Sequence, residues 1–176
     1  MQARFNGRQK TLRENTGLKT KMVVLGLGNL LNSDDGFGVH ALWKAKAELG
    51  GKYPQVEFID GGTLGLNLLP LIEETTHLLL LDCVKTEQPL AGLIELNGDQ
   101  IPLYSGIKIS PHQTTFQEVL GLAKIRDRLP EEIHLIGAQP TEFKTGTELS
   151  PQLQELLPET VARVEAQLAI WAKRLA

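Results

Sequence analysis

Three polar side chains are placed where a sheet protein could bind a metal ion. Asp35 follows the first strand-like run through a short loop, Asp82 lies near the end of a long apolar run, and His112 comes just before a helix. Two carboxylates and one imidazole from separate loops can form a small metal site, and this mixed N/O donor set suits zinc, nickel or iron better than calcium. An open position on the metal could bind a substrate group or an activated water. The residue types are therefore compatible with metal-assisted chemistry.

Each of these residues also has an ordinary structural interpretation. Asp34 or Asp35 could cap the helix that follows, which is the commoner role for an aspartate at such a position. His112 could be a loop histidine that bonds to the backbone. Asp82 is harder to explain in this way, because an unpaired carboxylate at the end of a buried strand is costly and needs a partner or water.

Other residues that could do chemistry give weaker signals. Asp60, at the end of the second strand, is a fourth candidate ligand, and its alternative is an Asx-turn that leads into two glycines. Cys83 should point to the face opposite Asp82 and act as a small buried hydrophobe. As the single cysteine, it excludes an internal disulfide and a cysteine-based zinc cage. Structural roles are expected for the other histidines, which are His40, His77 and His134.

A glycine-rich loop follows the first strand, as it would in a dinucleotide-binding protein. Gly26 and Gly28 fit the start of that fingerprint, but Leu31 replaces its third glycine and no helix begins at once. We therefore discount NAD binding. The sequence also lacks a phosphate-binding P-loop, the GxSxG elbow of serine hydrolases and the HExxH helix of zinc proteases.

Alternating strands and helices must position the candidate residues. Apolar runs predict strands at 22–28, 55–59, 77–83, 92–96 and 132–137, and helical patterns begin at 35, 66, 115 and 151. This order predicts a three-layer α/β/α sandwich around a mostly parallel, twisted sheet of about five strands. Ligands of such open sheets bind outside the carboxyl ends of the strands, where the candidate acids lie.

The first and third helices carry detailed signals. In the first, Val39, Leu42 and Trp43 form the expected apolar stripe. In the third, Thr115 and Glu118 have the spacing of a capping box. The expected apolar face of this helix consists of Phe116, Val119, Leu120 and Ala123.

The closing helix has a clear start. Ser150 is the expected N-cap, Pro151 suits the first helical position, and Pro158 predicts a kink. Its apolar stripe is predicted to consist of Leu157, Val161, Val164, Leu168 and Trp171.

Length and charge limit the function classes. The chain has 176 residues, which suits one domain, and we place that domain at 22–176. Its net charge of −3 argues against a nucleic-acid binder. No apolar run approaches the ~20 residues of a membrane span and no signal peptide opens the chain, so we expect a cytoplasmic protein.

The first 21 residues differ in composition from the rest. They contain six basic residues and one acidic residue, a net charge of +5, which leaves −8 for the remainder. We interpret residues 1–21 as a mobile basic extension. Met22 stands directly before the first strand and is an alternative start of the protein.

A series of short motifs, spread over about residues 22–160, resembles a known family. In order, the motifs are Leu25-Gly26-Leu27-Gly28-Asn29-Leu30-Leu31, Asp34-Asp35-Gly36-Phe37-Gly38-Val39, Asp60-Gly61-Gly62-Thr63 with Leu68-Leu69, Asp82, Ser110-Pro111-His112-Gln113, Leu135-Ile136-Gly137-Ala138-Gln139-Pro140 and Glu148-Leu149-Ser150-Pro151. Together they resemble the hydrogenase maturation proteases, endopeptidases that trim the C-terminal extension of the [NiFe]-hydrogenase large subunit. The Asp-Gly-Gly-Thr run is most similar to the uptake-type branch, whereas the basic residues before Met22 depart from the usual family start.

The resemblance implies a function for the candidate acids and histidine. The metal-contacting positions of the family match Asp35, Asp82 and His112, and these would engage the nickel carried by the precursor. Cleavage would then release a short C-terminal peptide only from nickel-loaded precursor. We assign supporting or substrate-binding roles to Asp34, Asp60, Gly61, Gly62 and Thr63. A divalent metal such as zinc could occupy the site in the isolated protein, and we expect a monomer, because a short-lived complex needs no dimer.

Two other functions stay open at this point. A non-catalytic chaperone that senses metal and holds the immature large subunit would need the same three ligands. The run Val24-Leu25-Gly26-Leu27-Gly28-Asn29 also resembles the start of peptidyl-tRNA hydrolases. Those enzymes need a basic RNA-binding face, and the body of this chain is acidic.

Overall fold

A computed structural model describes residues 20–84, 92–101 and 111–175, with side chains from residue 116 onward in the last range. The strands β1 to β5 are Met22–Leu27, Val56–Gly62, His77–Cys83, Leu93–Asn97 and Glu132–Ala138. The α-helices α1 to α4 are Phe37–Leu49, Leu69–Glu74, Pro111–Ile125 and Pro151–Leu175. Short 3-10 turns occur at Ser33–Gly36, Gly65–Leu68 and Gly98–Gln100.

The strands form one five-stranded sheet in the order β2-β1-β3-β5-β4. All neighbours are parallel except β4, which runs antiparallel to β5 at the edge. The central strand β3 is buried along its whole length, which explains its continuous apolar run, since a central parallel strand is covered on both faces. The predicted mostly parallel sheet is therefore confirmed.

Two hydrophobic cores, one on each face of the sheet, make the three layers. On one face, α1 and α4 pack through the buried residues Ala41, Leu42, Ala45, Val161, Val164, Leu168 and Trp171. On the other face, α2 and α3 pack through Ile72, Phe116, Val119, Leu120 and Ala123. The predicted apolar faces of the third and closing helices are confirmed by this packing.

The apolar stripe predicted for the first helix is confirmed at Val39 and Leu42, which are buried, and is wrong at Trp43. Trp43 is 47% exposed, and its ring meets the edge of His40 instead of the core. The buried side of α1 contains Ala41 and Ala45 in addition to Val39 and Leu42. Small alanines were a weak hydrophobic signal, but they let the helix approach the sheet closely.

The predicted helix starts were partly wrong. Helix α3 begins at Pro111, four residues before Thr115, so Thr115 lies inside the helix and is not its cap. Proline favours the first helical position because its φ is already fixed, and this overrode the capping-box pattern. The start of α4 is confirmed: the Leu153 N–H donates to Ser150 Oγ at 3.4 Å. This helix continues through Pro158.

The start of the described chain is held at the amino edge of the sheet. Residues 1–19 of the expected basic extension lie outside the described residues. The backbone N–H of Lys21 donates to Thr76 Oγ1 at 2.9 Å, and its ammonium group pairs with Glu74 at 3.3 Å. No helix within the described ranges has the length and hydropathy that crossing a membrane requires.

Candidate functional site

The chain changes direction across the sheet between β1 and β3. Strand β1 is followed by β2 on one side, whereas β3 is followed by β4 and β5 on the other. In open α/β sheets, the crevice outside the carboxyl ends of two such strands is the usual ligand site. Asp35 follows β1 and Asp82 lies near the end of β3, so the two acids come from the two strands that flank this crevice.

Asp82 is fully buried and belongs to the face of the sheet that α3 covers. It lies on the same face of β3 as Leu78 and Leu80, which are part of the core beneath α2 and α3. One carboxylate oxygen, Oδ1, accepts a hydrogen bond from the Cys83 N–H at 2.6 Å. Cys83 itself packs in the opposite core, as predicted. Strand alternation thus directs the acid towards the helix that carries His112.

Asp35 is also fully buried, in the 3-10 turn between β1 and α1. A side chain at Gly28, where φ is +131°, would place its Cβ 1.9 Å from the Asp35 carbonyl oxygen. At Gly38, a Cβ would lie 2.1 Å from the Leu81 carbonyl oxygen and 2.4 Å from that of Leu27. These glycines let the turn and the first turn of α1 press against the ends of β1 and β3. Close packing therefore requires glycine at both positions.

The carboxylate of Asp34 is buried and saturated with hydrogen bonds. Oδ1 accepts from the Ser150 N–H at 2.7 Å. Oδ2 accepts from the Thr141 N–H at 2.8 Å, the Glu142 N–H at 3.0 Å, and the hydroxyls of Thr141 and Ser150, both at 2.9 Å. Burial raises the pKa of Asp34, but the hydrogen bonds from Ser150, Glu142 and Thr141 outweigh it and hold the pKa below its usual value.

Asp34 therefore ties the loop after β1 to the loop between β5 and α4. The tie is reinforced by the Ser33 hydroxyl, which donates to the Glu148 carbonyl at 2.9 Å, and by the backbone pair between Ser33 N–H and the Gly146 carbonyl at 2.9 Å. This geometry favours the supporting role for Asp34, because its oxygens are occupied by the protein itself. The same geometry distinguishes the role of Asp34 from that of its neighbour Asp35, which is the candidate metal contact.

The segment from Asp60 to Thr63 lies at the same edge of the sheet. The predicted turn here was partly wrong, because β2 continues to Gly62 through a bulge at Gly61, where the register with β1 shifts. The Gly28 N–H donates to the Gly62 carbonyl at 3.0 Å. Asp60 and Thr63 are exposed beside the crevice.

His112 lies in the first turn of α3. Because α3 leads into β5, which runs parallel to β3, this first turn lies towards the carboxyl edge of the sheet. The side chain of His112 is outside the described residues. Among the described side chains, no three His, Cys, Asp or Glu residues come together as a metal site. The three-residue site of Asp35, Asp82 and His112 stays a prediction that depends on the histidine.

The other three histidines have structural partners, as predicted. His40 Nε2 bonds to the Thr147 carbonyl at 3.1 Å. His77 Nδ1 bonds to Thr76 Oγ1 at 2.9 Å, and its ring meets the edge of Trp171. His134 Nε2 lies 3.3 Å from Glu95 Oε2, and its Nδ1 bonds to the Asn97 side chain.

Sequence reasoning missed two contributors to this edge. Ser150 was identified only as a helix cap, and nothing local indicates that it also binds Asp34, which is 116 residues away. Gln117 is 7% exposed and lines a cavity together with Asp82. A local signal existed for Gln117, since it lies three residues before Leu120 on an otherwise apolar helix face.

Known proteins resemble the chain along most of its length. A family model described as hydrogenase maturation protease matches residues 39–167. A hydrogenase expression/formation protein, HupD, from Rhodobacter capsulatus is 35% identical over 153 residues, which cover 86% of this chain and 72% of that protein. The hydrogenase 2 maturation protease of Escherichia coli is 28% identical over 152 residues, covering 84% of this chain and 90% of that protein.

Solved structures agree with these relatives. The hydrogenase maturating endopeptidase HybD from Escherichia coli superposes with a TM-score of 0.74 at 26% identity, covering 85% of this chain and 93% of that chain. The [NiFe] hydrogenase maturation protease HybD from Thermococcus kodakarensis superposes with a TM-score of 0.65 at 26% identity, covering 84% and 99% of the two chains. The uptake-type branch indicated by the Asp-Gly-Gly-Thr run fits the HupD names. The chain therefore belongs to the hydrogenase maturation protease family and is an endopeptidase of hydrogenase maturation.

Proposed function

We propose that this enzyme removes the C-terminal extension of a nickel-loaded [NiFe]-hydrogenase large-subunit precursor, and that Asp35, Asp82 and His112 contact the nickel of that substrate. One observation carries the proposal: of two fully buried acids, Asp35 lies in the turn after β1 and Asp82 lies near the end of β3, and these two strands flank the ligand crevice of the sheet. Carboxylates at this edge of the sheet are suitable ligands for a divalent cation. A site that receives a metal ion with its substrate gives these acids a purpose.

The donor set suits nickel as cargo. Two carboxylates and an imidazole are N/O ligands that divalent first-row metals accept, and three protein ligands leave positions for groups of the precursor. Contact with the metal would place the adjacent peptide bond at the crevice. A precursor without nickel would lack this anchor, so cleavage would follow metal insertion.

Exposed apolar side chains at the same edge favour a protein substrate. Leu31 after β1 is 68% exposed, Leu64 and Leu66 after β2 are 52% and 53% exposed, and Phe143 after β5 is 42% exposed. Exposed apolar residues grouped on neighbouring loops are typical of an interaction surface. We assign them to the chain of the precursor around the cleaved bond, with Asp60, Gly61, Gly62 and Thr63 beside them.

Three further expectations belong to this proposal. The same acids and His112 would be the ligands of a divalent metal such as zinc in the isolated protein, where a bound metal would polarise a carbonyl or a water. The negative net charge of residues 22–176 argues against a nucleic-acid partner. We also propose that the enzyme acts in the cytoplasm as a monomer.

The test follows the mass of the precursor. Purified enzyme is mixed with matched large-subunit precursor, either nickel-loaded or nickel-free, and intact mass is measured over time. We expect a shorter product from the nickel-loaded form alone. Equal cleavage of both forms would refute nickel recognition. A stable complex whose precursor keeps its full mass would support the holding-chaperone alternative instead.

A further inference from the structure

Strand β2 forms one open edge of the sheet. It pairs with β1 on its inner side, and no strand of the described ranges pairs with its outer side. The pairing with β1 is regular from Val56 to Asp60, and the register shifts only after that residue. An open edge presents backbone N–H and C=O groups that can pair with another strand.

The residues of β2 do little to block this edge. Natural proteins often protect open edges with lysine or proline, and the strand contains neither. Its large apolar residues, Phe58 and Ile59, pack on opposite cores and are only partly buried. Its charged residues, Glu57 and Asp60, are exposed acids. Two paired copies of β2 would bring four acids together, and like charges on paired strands are destabilising, so the edge favours a different partner.

The carboxyl end of β2 leads directly to the proposed site. The Gly62 carbonyl accepts the Gly28 N–H at 3.0 Å. Gly28 in turn packs so closely on the following turn that a Cβ there would lie 1.9 Å from the Asp35 carbonyl oxygen. Apart from its chain neighbours, a Cβ at Gly62 would meet no atom closer than 3.5 Å, which leaves room for another backbone to approach.

We propose that the C-terminal extension of the precursor pairs with the outer edge of β2 as an added antiparallel strand. The proposal rests on the proposed function, because that function supplies the occupant. The body of the precursor must stay above the crevice with its nickel, whereas the extension is a free chain end that leads away from the cleaved bond. Strand β2 runs towards the crevice, so a chain that leads away along it is antiparallel, which is the more stable pairing.

This pairing predicts which part of the extension is recognised. The added strand would lie two and a half strand spacings from the middle of the crevice, about 12 Å, which about four extended residues span. Pairing therefore begins about four residues after the cleaved bond. Main-chain hydrogen bonds supply the affinity in such complexes, and every second amide of the extension faces β2.

The first experiment measures amide hydrogen exchange of the full chain by NMR, with and without a synthetic peptide of the extension sequence. No nickel is present, so the result does not depend on nickel recognition. We expect the peptide to slow exchange at the outward-facing amides between Val56 and Asp60, which are every second one, and to leave β4, the other edge strand, unchanged. The proposal is overturned if the peptide protects β4 instead or does not slow exchange in β2. It is also overturned if all β2 amides are already protected in the free chain.

The second experiment places proline at each position of the extension in turn, with alanine at the same position as the matched control. Proline removes the amide N–H that pairing needs. Beyond the first four or so residues, we expect every second proline to raise the KM for processing of nickel-loaded precursor about 5-fold, with kcat unchanged, and alanine to have no effect. A KM that never changes, or that rises as much with alanine as with proline, would refute the pairing. If even the unmodified precursor is not processed, the proposed function fails, and the exchange experiment alone decides the pairing.

Discussion

Replacing Asp34 with alanine should destabilise the protein strongly, although the neighbouring Asp35 is the residue proposed to act on substrate. The carboxylate of Asp34 accepts hydrogen bonds from three backbone N–H groups, those of Thr141, Glu142 and Ser150. Its removal leaves all three donors, together with the loop that they belong to, without their acceptor.

The size of the loss follows from burial. Ser150 is 3% exposed, so its N–H cannot turn to water and costs about 1–3 kcal/mol when it is unsatisfied. Thr141 and Glu142 are more exposed, so water replaces part of their bonds, and each loses about 1 kcal/mol. The total is about 4 kcal/mol, which for a chain of this size lowers the Tm by about 8–16 °C.

Thermal and urea unfolding of the full chain measure this change. The control is Asp99→Ala, which removes an exposed aspartate and should change stability by less than about 0.5 kcal/mol. The pH dependence supplies a second check. Because the pKa of Asp34 is lowered in the folded state, its stabilisation is present above the unfolded pKa of about 3.9 and is lost as the pH falls towards the folded pKa.

Asp35→Asn completes the comparison. The asparagine amide has nearly the shape of the aspartate carboxylate that it replaces, so we expect a Tm within about 2 °C of the wild type. We also expect that the variant does not process nickel-loaded precursor. The reasoning is refuted if Asp34→Ala unfolds like the wild type. It is also refuted if Asp34→Ala, assayed well below its Tm, is inactive while Asp35→Asn is fully active.

Four other substitutions test the site, the packing and the buried histidine. Asp82→Asn and His112→Ala should each abolish processing while the far-UV circular dichroism stays native, and wild-type rates in either variant would remove that residue from the site. Gly38→Ala would place a Cβ at 2.1 Å and 2.4 Å from two strand carbonyl oxygens, so its free energy of unfolding in urea should fall by about 3 kcal/mol. The control is Gly51→Ala, whose Cβ meets nothing within 4 Å and which should leave the free energy of unfolding unchanged. Burial lowers the pKa of His77 in the folded state, so the unfolded chain takes up the proton at a higher pH, and the free energy of unfolding falls as the pH drops below about 6.5. His77→Gln should therefore reduce the difference between the free energies of unfolding measured at pH 7.5 and pH 5. An unchanged difference would contradict this.

The sheet was readable from the sequence because burial on both faces leaves a simple pattern. Strand β3 is predicted over its whole length, since a central strand needs an unbroken apolar run. The same pattern exposes Asp82, because an acid in such a run has no ordinary reason to be there. Topology then predicts that Asp35 lies at the same edge.

What the sequence could not show depends on contacts between distant residues. The partners of Asp34 are 107 to 116 positions away, and no local pattern links them. Trp43 was misplaced because hydrophobicity outweighed the two small alanines that decide the buried face of α1. The start of α3 was misplaced because two local signals competed, and proline at position 111 prevailed over the pattern at Thr115.

The most direct test is nickel X-ray absorption of the enzyme bound to nickel-loaded precursor. The spectrum of the precursor alone is compared with that of the complex at low temperature, with wild type and with His112→Ala. We predict that wild type adds N/O scattering at the nickel, including the outer-shell pattern of an imidazole, and that His112→Ala loses this pattern. A nickel spectrum that is identical with and without bound enzyme would contradict the claim that Asp35, Asp82 and His112 recognise the metal.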